Sequence, residues 1–509
     1  MVNDTQANLF WWQRRWFLVL VVAASLIPLL WPAVPPLVDL PGHMGRYAVQ
    51  LDPQSPALSH WYAFHWRLIG NIGVDLLVIP MAKIFGLELG VKLIVLCIPA
   101  MTTAGLLWIA HEAHGRLPPT VLFALPLAYG HPFLFGFVNF SLGVSLTLLT
   151  FALWLRMTRA GLTRWRPLVF SVLASMIWVA HTFAWGILGL LCFSAEVVRL
   201  RDLRRGLSAS LVSAALACLP MALPLIPMLA WRSQATDVAS DWFNWAAKAG
   251  YVTMTLRDRW ITFDHWALII VFLVAVMPLV VKSLSYSRNL VASTITLTLV
   301  FILLPRIVFG SAYADMRMTP LLFAMPLIAI RVRTDADKSL LNVLAIAGLC
   351  FFALRIAAAT ASLFMASARY DQALAALDHV PRYSRLVTFT RRSCDLEWWT
   401  GHMEHLAGLA IVRRQAFAND QWEVSGANLM TIVKNDAPGF TTDPSQLVTQ
   451  TQCRAGAWST IDRALRALPR SAFDYVWLID PPRYDAHLTD GMTLVWASGL
   501  DRLYRIDRK

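Results

Sequence analysis

Long apolar segments recur along residues 1–365, and they restrict the possible folds more strongly than any motif in the chain. Apolar runs of roughly 17–25 residues match the hydrocarbon core of a bilayer. Of the 509 residues, 57% are hydrophobic and 15% are charged, so a soluble fold could not bury this much apolar surface. The chain is therefore expected to be an α-helical polytopic membrane protein, with some segments broken or re-entrant. The segments lie at 16–31, 69–86, 90–110, 118–130, 136–157, 168–180, 183–198, 207–231, 266–281, 290–308, 318–330 and 340–363.

Basic residues set the expected orientation in the membrane. The net charge is +13, and much of it lies in the short loops 158–167, 199–206, 282–289 and 331–339. Short loops rich in Lys and Arg stay in the cytoplasm. The apolar segment after Arg15 lacks a cleavage site and is read as a first membrane helix with a cytoplasmic N-terminus. The C-terminus is then outside, which requires an odd number of crossings, about 11 transmembrane helices.

The same charge distribution argues against nucleic acid as a partner. A nucleic-acid-binding protein gathers its basic residues on one folded surface, whereas here they alternate with apolar segments. Membrane lipids are the expected surroundings, and the inner (plasma) membrane is the expected location.

Two long segments are expected to form external loops. Residues 33–68 and 232–265 combine Trp, Tyr and Phe with His and Arg. Aromatic rings with polar handles are favoured at the membrane–water interface. Both loops are therefore expected to contain elements that lie in the interface.

The composition changes after residue 365. Alternating apolar runs at 475–479 and 493–496 are typical of strands, and the pattern at 459–468 is typical of a helix. The sequence predicts a transmembrane domain over residues 1–365 and a small α/β soluble domain, outside the cytoplasm, over residues 366–509.

Two of the six cysteines lie in this polar region, at Cys394 and Cys453. The other four lie within apolar segments. In an oxidising compartment a disulfide between Cys394 and Cys453 is expected, and a pair of free thiols is the alternative.

A short polar stretch follows the first apolar segment, where residues 38–46 read VDLPGHMGR. Asp39 is the candidate general base, because a carboxylate can take a proton from an attacking hydroxyl and ionisable groups at a membrane surface are usually functional. His43 and Arg46 follow at helical spacing, and both could bind a phosphate. The alternative is that Asp39 caps a helix and that His43 and Arg46 belong to an ordinary interface helix.

Further polar residues stand at the expected outer ends of other helices. His131, Asn139 and His181 are candidates for a shared polar pocket. Alternatively, each of the three satisfies only its local structure.

A second group of candidates lies near the end of the apolar region. Arg306 and Arg317 are candidates for neutralising a leaving phosphate. Asp315 is included with the substrate-binding candidates. Asp315 and Arg317 could instead pair with each other, or Asp315 could cap the helix that begins near Pro320.

No metal or cofactor site is expected. His402 and His405 are three residues apart, but no further ligands stand at a suitable spacing. The sequence also lacks a Gly-rich phosphate loop, a GxSxG elbow, an HExxH helix and a Cys-x-x-Cys pair.

In layout the chain resembles the membrane glycosyltransferases of the GT-C class. The resemblance rests on an acidic residue directly after helix one, at Asp39, on interface elements over residues 40–68, and on a soluble region after the last helix, at 366–509. The Asp-x-Pro-x-His pattern is similar to bacterial GT-C-like proteins, and residues 398–417 resemble their external domain. Many members carry an acidic pair in the first loop, whereas the other acid here, Asp52, is thirteen residues from Asp39.

The resemblance implies an inverting transfer of a sugar from a polyprenyl-phosphate donor to an envelope glycan, lipid or protein at the outer face. Asp39 would be the base, and His43, Arg46, Arg306 or Arg317 would bind the lipid phosphate. The alternatives are a transporter or flippase of a lipid-linked substrate, and a non-catalytic subunit of an envelope polysaccharide assembly. Transporters often contain related halves and polar residues near the bilayer midplane, but no internal repeat is evident here.

Overall fold

The computed structural model describes residues 9–232, 239–308, 310–399, 402–424, 428–454, 456 and 458–508. Part of the expected second external loop, residues 233–238, and Lys509 therefore lie outside the described residues. The chain up to residue 379 is mostly helical. Its α-helices are α1 (Arg15–Ala24), α2 (Leu40–Leu51), α3 (Gly73–Phe85), α4 (Leu87–His114), α5 (His131–Leu134), α6 (Val138–Arg159), α7 (Arg166–Ala180), α8 (Thr182–Asp202), α9 (Leu207–Cys218), α10 (Leu225–Arg232), α11 (Trp245–Thr253), α12 (Ile261–Val276), α13 (Arg288–Leu303), α14 (Thr319–Ala329) and α15 (Lys338–Leu374).

Within the described residues, five helical segments are long and apolar enough to cross a membrane. Shorter apolar helical segments accompany them at Arg15–Leu29, Leu207–Ala222, Arg288–Leu303 and Met316–Ala329. These segments support an integral membrane protein, but they do not confirm the expected number of crossings. The five long segments are Leu87–His114, Val138–Arg159, Thr182–Asp202, Ile261–Leu279 and Lys338–His379.

The apolar segment at 118–130 is not a membrane-spanning helix, which corrects that part of the sequence-based count. It forms two short 3₁₀ helices, Pro119–Phe123 and Leu125–Tyr129, and each has a proline in its first turn. Proline removes a backbone donor and interrupts a continuous helix. The whole stretch is buried and packs against α4, α14 and α15.

The C-terminal region, residues 380–508, contains a six-stranded sheet and two helices. The strands predicted at 475–479 and 493–496 are present, and the helix predicted at 459–468 is present as a shorter helix. The elements are β4 (Leu386–Arg391), α16 (Gly408–Arg414), β5 (Met430–Ile432), β6 (Leu447–Thr449), β7 (Ser459–Thr460), α17 (Ile461–Ala467), β8 (Tyr475–Ile479), β9 (Met492–Ser498) and β10 (Asp501–Ile506).

The sheet has the strand order β7-β6-β4-β8-β10-β9. The first four strands in this order pair in parallel, and β10 pairs antiparallel with both β8 and β9. The domain boundary predicted at 365/366 falls inside α15, which continues to Leu374 as a helix of 37 residues. The sheet begins at Leu386.

Residues 33–68, the expected first external loop, are joined to the C-terminal region. Its strand β1 (Tyr62–Phe64) pairs antiparallel with β5. Tyr62 stacks on Phe417 with ring centroids 5.7 Å apart, and its hydroxyl donates to the Ala418 carbonyl oxygen at 2.9 Å. Helix α2 also packs against α16. A separate two-stranded antiparallel sheet, β2 (Leu284–Tyr286) with β3 (Ile330–Val332), joins the ends of α12 and α14.

Candidate active site

Asp39 stands at the start of α2 without capping it. Its backbone N–H donates to the Phe135 carbonyl oxygen at 3.0 Å, which fixes its position against the loop after α5. The side chain makes no capping hydrogen bond to α2 and is 14% exposed. A carboxylate that leaves helix N–H groups unused is not explained by the capping alternative.

The surroundings of Asp39 come from distant parts of the chain. Its Oδ1 lies 3.8 Å from Nε2 of His405. Burial and the charge of Asp443 raise the pKa of Asp39 well above its usual range, and the Arg317 guanidinium opposes this shift. Tyr370 at the end of α15 also lies close enough to interact with the Asp39 charge. The raised pKa makes the Asp39 carboxylate a stronger proton acceptor, and the Arg317 guanidinium favours the ionised form that a general base needs.

His43 lies one turn after Asp39 and faces the C-terminal region. Its ring is 5.1 Å from Trp422, and the His405 ring is 4.7 Å from the same indole. Burial, Arg46 and His405 lower the pKa of His43 well below its usual range. A neutral imidazole hydrogen-bonds a substrate but does not attract a phosphate by charge.

Arg317 is buried at the start of α14, next to His181. Its guanidinium lies 4.4 Å from the centre of the Phe137 ring and 5.6 Å from that of Phe183. His181 caps α8 by accepting from the Phe183 N–H at 3.1 Å. The structure therefore brings Asp39, His43, His181 and Arg317 to one region.

Arg46 and Asn139 belong to a different network, centred on Asp75. The Arg46 guanidinium lies 2.9 Å from Asp75, and Asn139 Nδ2 donates to the same carboxylate at 3.0 Å. Asn139 Oδ1 also accepts from the Val74 N–H at 2.6 Å. These contacts link α2, α3 and α6. They also occupy the side chains of Arg46 and Asn139, which the sequence analysis assigned to substrate binding.

Arg306 and Asp315 also have protein partners. Arg306 pairs with Asp241 at 2.5 Å. Asp315 is fully buried, pairs with Lys248 at 3.0 Å and caps the following 3₁₀ helix through the Met316 N–H. Asp315 was expected either to pair with Arg317 or to cap the following helix. It caps that helix, and its ion-pair partner is Lys248.

His131 belongs to a basic cluster that sequence reasoning missed, defined here as Arg257, Arg259, His131 and His402. The arginines lie between α11 and α12, and Arg259 is 4.8 Å from the centre of the Trp399 ring. Burial and the neighbouring basic groups lower the pKa of both His131 and His402 to about 3. The two arginines therefore supply the charge of the cluster.

The hydrogen bonds of these arginines go to neutral groups. Arg257 donates to the carbonyl oxygens of Glu397 and Trp398, both at 2.6 Å. Arg259 donates to the Ser362 hydroxyl at 3.4 Å, and Arg317 to the Ser311 hydroxyl at 3.1 Å. Arg317 is buried and Arg257 and Arg259 are half-buried. In the described part of the chain none of the three donates to a carboxylate, so they are suited to an anionic ligand, which forms charge-assisted hydrogen bonds.

One sequence pattern indicates the basic cluster. Arg257 and Arg259 end the second external loop in an Arg-x-Arg-Trp pattern. The same loop is fastened to the C-terminal region by Asp264, which accepts from Trp398 Nε1 at 2.8 Å and from Arg355 at 2.6 Å.

An apolar groove runs along the membrane part of the molecule between α1 and α15. Its volume is about 970 Å³, and its lining is almost entirely apolar. Phe364 lines the groove, and Ser362, two residues earlier on α15, contacts Arg259. Residues two apart on a helix do not share a face, so the groove and the contact with Arg259 lie on different faces of the same turn of α15.

No group of three or more His, Cys, Asp and Glu side chains that could hold a metal ion is found among the described residues. Cys394 and Cys453 form a disulfide with their Cα atoms 5.3 Å apart, which is the bonded alternative of the two that the sequence left open. The disulfide lies in the same part of the C-terminal region as Trp398 and Trp399.

Comparison with known proteins gives one structural likeness. No protein-family model and no curated protein matches the chain. The structure is similar to the crystal structure of ArnT from Cupriavidus metallidurans bound to undecaprenyl phosphate, with a TM-score of 0.44 and 13% sequence identity over 96% of this chain and 98% of that chain. At these values the likeness carries no residue role over to this chain.

Proposed function

We propose that this chain is a membrane glycosyltransferase of GT-C type, which moves a sugar from a polyprenyl-phosphate donor to a hydroxyl of an envelope glycan, lipid or protein. The observation that carries the proposal is the pairing of one buried, weakly acidic carboxyl, Asp39, with nearby arginines bonded to neutral groups. This transfer needs a base and groups that bind a phosphate. Both kinds of group lie where the membrane helices join the C-terminal region.

In the proposed reaction, Asp39 takes the proton of the acceptor hydroxyl as that oxygen attacks the anomeric carbon of the donor. The bond from this carbon to the phosphate oxygen breaks, and the electron pair leaves with the polyprenyl phosphate. Arg317 and the arginines of the basic cluster stabilise the negative charge on that phosphate, which is the main electrostatic demand of the step. Four other candidates take no part in these contacts, because their side chains already pair with other side chains of the protein: Arg46, Asn139, Arg306 and Asp315.

The donor chain is placed in the groove between α1 and α15. An isoprenoid chain needs an apolar surface open to lipid, and the groove offers one that reaches the turn of α15 from which Ser362 contacts Arg259. We further propose that the N-terminus is cytoplasmic and that the C-terminal region is outside, so that transfer takes place at the outer face. The disulfide supports this orientation, because disulfides persist in oxidising compartments.

The test replaces Asp39 by Asn, which keeps the size and removes the base. Asp52→Asn is the matched control, since Asp52 is an exposed acid at the other end of α2. Turnover of Asp39→Asn should fall by about 10²–10⁴-fold, with unchanged protein level and donor binding. A fully active Asp39→Asn protein would remove the catalytic assignment. Envelope glycans compared by mass spectrometry between cells with and without the protein identify the sugar.

A further inference from the structure

The segment that follows the last membrane helix contributes a second titratable group, which lies next to Asp39. That group is His405, whose Nε2 lies 3.8 Å from the Asp39 carboxylate. Its other ring nitrogen, Nδ1, lies 2.9 Å from the carbonyl oxygen of Asp420. A carbonyl oxygen only accepts, so Nδ1 carries the hydrogen. The neutral ring therefore turns an unprotonated Nε2 toward Asp39.

This placement depends on a close packing of two backbone segments. A β-carbon built on Gly42 would lie 2.6 Å from the Trp422 ring and 3.2 Å from Cβ of His405, and one built on Gly408 would lie 2.3 Å from the Pro41 carbonyl oxygen. Only glycine permits such an approach. Asp39 directly precedes α2 and His405 lies three residues before Gly408, the first residue of α16, so this packing of the two helix starts holds the two side chains together.

We propose that His405 is the proton-accepting partner of Asp39, so that the base is a carboxylate–imidazole pair shared between the first external loop and the C-terminal region. This inference rests on the proposed function for its catalytic meaning, but the pair itself can be tested without turnover. His405 acts through Asp39 and is a positioning and proton-accepting residue.

The proton balance of the step is simple. The acceptor O–H bond breaks as the new glycosidic bond forms, and the proton goes to a carboxylate oxygen of Asp39. It then passes to Nε2 of His405, which becomes an imidazolium, while the electron pair of the broken donor bond leaves with the phosphate. Asp39 is ionised again once this transfer has taken place, and His405 becomes neutral again when the imidazolium releases the proton to water after the products depart.

Several other groups face the pair and would affect its titration. They are Arg317 at the start of α14, Tyr370 on α15, His43 and Arg46 on α2, and Asp420 and Asp443 in the C-terminal region. Burial lowers the pKa of His405, and the Asp443 charge opposes this. An ionised Asp39 at 3.8 Å adds a further attraction for the imidazolium.

The first experiment follows the exchange of the C2 hydrogen of each histidine by mass spectrometry as a function of pH, in the full-length protein in nanodiscs. In Asp39→Asn the midpoint of His405 should fall by about one pH unit, because the neighbouring anion is lost. His114, which lies elsewhere, should keep its midpoint, and Asp52→Asn should leave the midpoint of His405 unchanged. An unchanged His405 midpoint in Asp39→Asn overturns the pair.

The second experiment measures turnover against pH for His405→Gln, which cannot accept the proton. The rate should fall at least about tenfold with little change in KM, and the shape of the pH profile should change. His114→Gln is the matched control, since His114 is also largely buried and bonded to a backbone carbonyl, that of Ile328. A parallel, unshifted pH profile in His405→Gln would mean a structural role only and would overturn the proposal.

The two experiments separate the two hypotheses. If no sugar transfer is found but the His405 midpoint follows Asp39, the pair stands and the proposed function fails. If Asp39→Asn abolishes transfer while the His405 midpoint stays constant, the function stands and the pair fails.

Discussion

Gly408 lies directly against Pro41, with room for a hydrogen atom but not for a methyl group. A β-carbon on Gly408 would come within 2.3 Å of the Pro41 carbonyl oxygen. This contact is where the C-terminal region meets the helix that begins with Asp39. The geometry of the site therefore depends on a backbone-to-backbone contact between two residues that lie far apart in the sequence.

Gly408→Ala should separate α2 from α16 and disturb the site. Overpacking of this kind costs typically about 1–3 kcal/mol, and turnover should fall more than stability alone explains because Asp39 moves away from His405. Gly189→Ala is the control, because a β-carbon there meets nothing within 4 Å. Hydrogen exchange of residues 402–424 and turnover are the measurements. Equal behaviour of the two variants would contradict the proposed packing.

Asp420 makes the stability of the C-terminal region depend on pH. Burial raises the pKa of this carboxyl to about 7, and its Oδ2 is buried without a hydrogen-bond partner in the described structure. A raised acid pKa means that the folded state holds its proton more tightly than the unfolded state, so this group favours folding at low pH. That advantage is lost as pH rises from the ordinary value of 3.8 to about 7.

Asp420→Asn should remove this pH dependence. Above about pH 7 the variant should be more stable than the wild type, by an upper limit of about 4 kcal/mol at 1.36 kcal/mol per pKa unit. Below the ordinary pKa of 3.8 the two proteins should be similar, because Asp420 is then largely protonated in both states. Thermal unfolding in detergent at the two pH values measures this. Greater relative stability of the variant at low pH than at high pH would contradict the assigned shift.

The sequence identified the parts of the fold that depend on local pattern. Apolar segments became helices, and the alternating runs at 475–479 and 493–496 became strands, because side-chain periodicity reports burial directly. The segment at 118–130 was misread because its apolar character was counted without the effect of Pro119 and Pro126 on the backbone.

Site residues were predictable only where a polar group stood out against apolar sequence. Asp39 and Arg317 stood out in this way. His405, Asp443 and Tyr370 did not, because their proximity to Asp39 arises from tertiary packing across hundreds of residues.

The sequence-based assignment of Arg46 and Asn139 to a substrate overlooked a partner within an apolar segment. Asp75 lies inside the segment 69–86, and it is the ion that both residues bind. A buried charge is costly unless it is paired and hydrogen-bonded, so an acid in an apolar segment indicates a cation close to it in the fold.

The disulfide should stabilise the loop that carries Trp398. Replacing both Cys394 and Cys453 by Ser should lower the free energy of unfolding by about 2–4 kcal/mol. In the native protein, peptide mapping without reductant should recover the linked pair, whereas Cys97 and Cys350 should be found as free thiols. Two alkylatable thiols at 394 and 453 would contradict both the bond and the external placement of this region.

Arg317 should contribute to donor binding through its charge. Arg317→Gln removes the charge while keeping a polar side chain, and loss of one charge-assisted hydrogen bond costs about 1.5–3 kcal/mol. The Kd for a polyprenyl phosphate should therefore rise by roughly 10–100-fold. Arg505→Gln, on the exposed face of β10, is the control. Native mass spectrometry measures the binding, and a Kd equal to that of the wild type would exclude Arg317 from the phosphate site.

Filling the groove between α1 and α15 should block the donor chain without touching the polar site. Ala357 lines the groove, and Ala357→Trp places an indole where the isoprenoid chain is proposed to lie. Leu354→Trp is the matched control, because Leu354 is on the same helix and exposed but does not line the groove. Binding of a long polyprenyl phosphate should weaken in Ala357→Trp, whereas a phosphate with a short soluble chain should bind both variants equally, since it does not reach the groove. If Ala357→Trp binds the long donor as well as Leu354→Trp does, the chain lies elsewhere and the groove holds ordinary membrane lipid.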